Sequence, residues 1–128
     1  MTRELAFWLY LINATLLIIH EIDSAYWKEW DLFGLKGGVG GFLLLHLPLL
    51  GAILYGLVLV AQRTIAGLIL SLLLCFGGLF AFSIHTYFLR RGHPEFKSPV
   101  SQLLLVGTLV VSLLQGVVSL VVLFQGFE

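Results

Sequence analysis

Residues 39–89 read VGGFLLLHLPLLGAILYGLVLVA-QRT-IAGLILSLLLCFGGLFAFSIHTYFL, two long apolar runs joined by the polar triplet Gln62-Arg63-Thr64. A helix needs about 20 apolar residues to cross a hydrocarbon core about 30 Å thick, and each run is long enough. Neither contains Asp, Glu, Lys or Arg. A three-residue turn leaves the second helix no course except back alongside the first, so the segment predicts an antiparallel transmembrane hairpin. Apolarity that is continuous rather than alternating sets it apart from a transmembrane barrel.

Outward from the hairpin, a further apolar run lies on each side. One extends from about Leu5 to Trp27, its purely apolar part ending at Ile19, and the other begins at Pro99, a good first-turn residue. The expected fold is therefore all-α, an integral membrane four-helix bundle with helices at about 5–27, 39–61, 65–89 and 99–127, forming one transmembrane domain over 1–128. Composition agrees: 59 % of the residues are apolar and 11 % charged, against about 45–50 % and about 25 % in soluble domains. Little chain remains for a soluble catalytic module. Seven basic and seven acidic residues give no net charge, which removes the electrostatic case for a nucleic-acid partner. The single cysteine, Cys75, has no partner in the chain for a disulfide. Arg3 before an apolar stretch resembles a secretory leader, yet Glu4 spoils its basic start, and Asp23 sits where cleavage after Ala25 wants a small uncharged residue. We therefore expect the first helix to be retained. Five of the seven basic residues, Lys28, Lys36, Arg90, Arg91 and Lys97, fall in the first and third loops. The positive-inside rule then predicts that loops 21–38 and 90–98 are cytoplasmic and that both termini are outside.

Ionisable side chains near the bilayer centre cost about 2.5–3.5 kcal/mol each on insertion scales, so those kept within spans point to function. His20 lies shortly before the loop-one end of the first helix, His46 shortly after the loop-one end of the second, and His85 shortly before the loop-three end of the third. At 1.5 Å rise per residue all three fall roughly 5–12 Å below one surface. At 100° per residue Asn13, His20, Asp23, Ser24 and Trp27 share a stripe, with Glu21 to its side. Ser71, Cys75, Gly78, Phe82 and His85 form a stripe on the third helix, and Ser101, Thr108, Ser112, Gln115 and Ser119 one on the fourth. Small and hydroxyl residues suit close helix packing, so these last two stripes are expected to be packing faces. Pro48 is expected to bend the second helix beside His46.

Imidazole and carboxylate together suit a divalent zinc, iron or manganese ion. The expected ligands are His20, His46, His85 and an acid, Asp23 or Glu21, the other acid acting as general base or orienter. Such an ion would activate water or polarise a carbonyl at the depth of lipid esters and amides, as in a metal-dependent intramembrane hydrolase with a lipid substrate. Position 24 is Ser, so His20-Glu21 is not the His-Glu-x-x-His protease motif. The same residues would serve a proton or small-ion relay. Two facing histidines would also hold haem iron or a pigment, a reading ranked lower because carboxylates adjoin them. An accessory subunit of a larger membrane complex, or a homo-oligomer, needs none of this chemistry. In the loops, Tyr26, Trp27, Trp30, Phe33 and Tyr87 read as an interfacial aromatic belt, and Gly92-His93-Pro94-Glu95 as a solvated turn. Gly37, Gly38, Gly40 and Gly41 follow no strand and precede no Lys-Ser/Thr pair, so they are not a phosphate loop.

His20-Glu21-Ile22-Asp23, the following Tyr26-Trp27-Lys28-Glu29-Trp30, and Arg91-Gly92-His93-Pro94-Glu95-Phe96 resemble segments of a family of small, uncharacterised bacterial four-helix membrane proteins. Its signature is a His-Glu-hydrophobic-Asp run ending the first helix. The resemblance covers essentially the whole chain and implies a multi-pass protein of the bacterial inner membrane; it brings no known activity. The segment is also distantly similar to small membrane proteins named for a His-x-x-Glu-Glu motif. Asp23 matches the first acid of that motif, and Ser24 stands where the second would be.

Overall fold

A computed structural model describes residues 1–126 of the chain. Four helices long and apolar enough to cross a bilayer are present: α1 (Thr2–Tyr26), α3 (Gly38–Ala61), α4 (Ile65–Arg90) and α5 (Pro99–Phe124). A one-turn helix, α2 (Glu29–Leu32), lies in the first loop, where the sequence predicted only connecting chain. Span boundaries agree with expectation to within three residues, and Phe127, the expected end of the last helix, lies outside the described residues.

The turns explain themselves locally. Thr64 caps α4 by accepting from Gly67 N–H at 3.0 Å, and its own hydroxyl donates to Leu59 O at 3.0 Å, which closes the predicted hairpin. Ser98 caps α5 in the same way, accepting from Ser101 N–H at 3.1 Å, with Pro99 in the first turn. Gly37, at φ 105°, supplies the left-handed residue that opens α3.

α5 packs most extensively, against α4 on one side and α1 on the other, while α3 is the least enclosed span. The reason is side-chain size. At Gly78 of α4 an added Cβ would stand 2.0 Å from Ser112 Oγ and 2.9 Å from Thr108 Cγ2 of α5, so only glycine permits that approach. The α1/α4/α5 seam is threaded by a chain of side-chain hydrogen bonds, which leaves Asn13 Oδ1 and Thr108 Oγ1 without a partner. Asn13 Nδ2 donates to Ser112 Oγ at 2.9 Å and to Gln115 Oε1 at 2.8 Å. Gln115 Nε2 donates to Ser71 Oγ at 2.8 Å, and Ser71 and Ser119 share a hydroxyl bond at 2.7 Å. All five residues are buried. The small-residue stripes are packing faces, as expected. α3 meets the bundle through Tyr10, whose hydroxyl donates to Ile53 O at 2.8 Å. The helix continues through Pro48, which removes one backbone donor and faces outward.

Candidate functional site

The looser packing of α3 leaves a cavity of about 460 Å³ between α1, α3 and α4, covered at the loop-one end by α2. This volume lies within the roughly 300–1,000 Å³ of small-molecule sites. His20, Glu21, Glu29, His46 and His85 line it. The rest of the wall is apolar or small, running down to Leu70 and Leu73 of α4. From Leu70 to His85 is roughly 22 Å along the helix at 1.5 Å per residue. A polar end and a long apolar groove thus form one space.

Three histidines do reach one level, and they divide into two groups. His46 Nδ1 lies 2.7 Å from Phe42 O, and its Nε2 lies 2.6 Å from Glu21 Oε2. A carbonyl oxygen only accepts, so Nδ1 carries a hydrogen. The short contact to a carboxylate oxygen then requires a second proton, shared by His46 and Glu21. Phe42 stacks on the imidazole at 3.8 Å and fixes the plane of the ring. The pair is therefore linked by a short hydrogen bond at the cavity wall.

His20 and His85 form the second group, edge to face with ring centroids 4.7 Å apart. Both are buried, and the Nδ1 atom of each has no hydrogen-bond partner. Glu29 Oε1 approaches His85 Nε2 to 3.6 Å from α2. Burial pushes the Glu29 carboxyl up to about 7; nearby Glu21 adds to the rise, and the Ser24 hydroxyl and His46 oppose it. Phe96 seals this group from the third loop, its ring 4.1 Å from that of His85 and 5.7 Å from that of His20. It does so in a left-handed backbone conformation (φ 66°) that phenylalanine seldom adopts, with its carbonyl accepting from Gln102 Nε2 at 2.6 Å.

Several expectations change in this light. Asp23 does not line the cavity: its Oδ1 accepts from Nε1 of Trp27, one turn further on, at 3.1 Å. His20, His46, His85 and Asp23 are thus not gathered around one point. Among the described residues no three or more His, Cys, Asp and Glu side chains stand as a metal-holding group. Glu21 sits to the side of the α1 stripe and for that reason meets His46 of α3. Trp30 and Phe33, expected in the interfacial belt, line the cavity instead, Trp30 against Phe42 (5.4 Å) and Phe33 between His85 (6.3 Å) and Phe88 (5.6 Å). Tyr26 and Tyr87 stay exposed, as a belt requires. Glu29 carries no signal in the sequence that sets it apart from the other loop acids; its place on the inner face of a one-turn helix emerges only from the fold. The turn at 92–95 is largely exposed, with His93 Nδ1 3.6 Å from Glu95 Oε2, and it leads directly into the buried Phe96.

Fold and cavity together define a class: a multi-pass integral membrane protein in which histidines and carboxylates line one end of a cavity. Residues 6–122 match a family of unknown function, DUF6713, and the chain belongs to that family. No curated protein and no solved structure matches it.

Proposed function

We propose that the protein binds a long-chain amphipathic molecule from the bilayer, its head group against the His/Glu cluster and its chain in the groove between α3 and α4. The observation that carries this reading is the continuity of the two surfaces in one cavity, five ionisable residues at one end and an apolar wall beyond them. A soluble ligand would gain nothing from that wall, and a bulk acyl chain nothing from the cluster. The shared proton of His46 and Glu21 suits the pair to general acid–base work on a head group, including an ester or amide. The decisive experiment is lipid extraction and native mass spectrometry of detergent-purified protein. A bound single-chain species is expected in the wild type and absent from Gly77→Leu, which fills the groove wall. An identical lipid complement in both would overturn the reading.

A second reading keeps the divalent ion, which the two unpartnered Nδ1 atoms of His20 and His85 favour. The ion would then draw on the His20 and His85 pair alone among the side chains rather than on His46 and Asp23, and would supply Lewis-acid chemistry beside the same head group. Stoichiometric zinc, iron or manganese, lost in His85→Ala, is the expected elemental analysis. A proton relay fares less well, because the seam beyond the cluster runs through Asn13 and Gln115, whose amide nitrogens donate without accepting.

A further inference from the structure

We infer that the head group taken by this cavity is an amine, and that phosphate and carboxylate heads are turned away. The inference rests on the groove reading above and adds the chemical class of the ligand. Among the described residues no Lys or Arg lines the cavity, whereas Glu21 and Glu29 both do. An anionic head would enter beside Glu29 and a Glu21–His46 pair whose opposite charges cancel, with no free cation on the wall to receive it. An ammonium meets the opposite situation. It brings three donors and no acceptor, and the cavity wall offers it the carboxyl groups of Glu21 and Glu29 as acceptors.

The basic residues of this end of the molecule are placed elsewhere. Arg90 and Arg91 border a separate concavity with Ser83, Thr86 and Tyr87, and the Arg91 guanidinium lies 5.2 Å from the centre of the Tyr87 ring. Anionic lipid heads are thus drawn to the outer face of α4 and not to the cavity. Charge on the two surfaces sorts head groups before any chain enters the groove.

Selectivity also carries a pH signature. Glu29 is faced by His20 and Glu21 of α1, by His46 of α3 and by His85 of α4, with Asp31 as the other acid of its own helix. Its carboxyl, held near 7 by burial, gains charge as pH rises through neutrality. Amine affinity is expected to rise over the same interval, and to do so less in Glu29→Gln.

The test uses the full chain in nanodiscs of neutral lipid, with hexadecanol, hexadecylamine and hexadecyl phosphate as probes and binding read by native mass spectrometry. Hexadecylamine is expected to bind about tenfold or more tighter than hexadecyl phosphate, the scale of one well-made charge interaction. Replacing both acids (Glu21→Gln with Glu29→Gln) is expected to collapse that ratio; circular dichroism checks that the helices remain. Phosphate binding as tightly as amine, or a ratio unchanged in the double variant, would overturn the head-group inference. Hexadecanol carries no charge and separates the two levels. If it binds wild type no better than Gly77→Leu, the groove reading itself fails. If it binds wild type better and the amine preference is missing, only the present inference falls.

Discussion

Gly77 and Gly78 are neighbours on α4, and they belong to different worlds. A Cβ on Gly78 would strike Ser112 of α5, whereas a Cβ on Gly77 would meet nothing within 4 Å. Gly78 marks the α1/α4/α5 seam, where amides and hydroxyls bond across helices that touch, with Asn13 Oδ1 and Thr108 Oγ1 left over. Gly77 marks the α3/α4 side, where the helices stand apart and the polar groups at the end are incompletely paired. Polar residues in a membrane bundle thus serve two ends here. Uncharged ones with complementary partners hold helices together, and ionisable ones left with spare valence face a space.

The contrast is open to breaking at five points, beginning with the largest expected effect. Gly78→Leu should prevent recovery of folded protein in detergent, since overpacking costs about 1–3 kcal/mol even where neighbours give way, and here the obstacle is the facing helix. Gly77→Leu should fold as wild type does, and helicity and melting temperature compare the two. Equal behaviour would erase the distinction between seam and cavity.

Glu29 gives the next effect. Its carboxyl is raised from 4.5 to about 7 in the folded protein, so the packed state favours the protonated form. The packing of α2 is therefore firmest below about pH 4.5 and weakens as pH rises through about 7, by up to about 3 kcal/mol. Hydrogen exchange over 29–35, corrected for its intrinsic pH dependence, should quicken across that window in the wild type and stay level in Glu29→Gln.

Gln115→Ala removes the centre of the seam and leaves Asn13 and Ser71 short of partners, a loss of about 1–2 kcal/mol. Steric-trap or denaturant unfolding in micelles measures it, and the cavity should keep its ligand. The reciprocal change, His46→Ala, should abolish ligand binding while altering stability by less than Gln115→Ala does. Smallest is Tyr10→Phe, at the border of the two regions. Loss of its bond to Ile53 O should cost about 0.6 kcal/mol, the average for a hydrogen bond within a membrane bundle.

Much of the architecture could be read directly. The four spans, the tight hairpin and the start of the last helix at Pro99 follow from local rules, and the common depth of His20, His46 and His85 follows from helical rise alone. The sharing of partners did not follow. Rise per residue gives a side chain's level, and rotation gives its bearing on one helix; neither gives the azimuth of that helix against its neighbours. Asp23 was legible as an interior-facing acid, yet Trp27 one turn on takes its oxygen. Glu21, off the stripe, proved to be the acid that meets His46. Trp30 and Phe33 read as belt residues because nothing local shows that the first loop folds back over the cavity.

What the amino-acid order determined by itself is the number of crossings, their turns, and the fact that ionisable groups share a level, because hydrophobic length and helical periodicity are properties of a segment. Only the tertiary structure decided that α3, tight against α4 at the hairpin, parts from it toward the first loop while α5 closes on it, and hence that His46 joins Glu21, His20 joins His85, and Glu29 is buried under α2. Those outcomes depend on which side-chain volumes face each other across helices far apart in the chain, a quantity that no single segment contains.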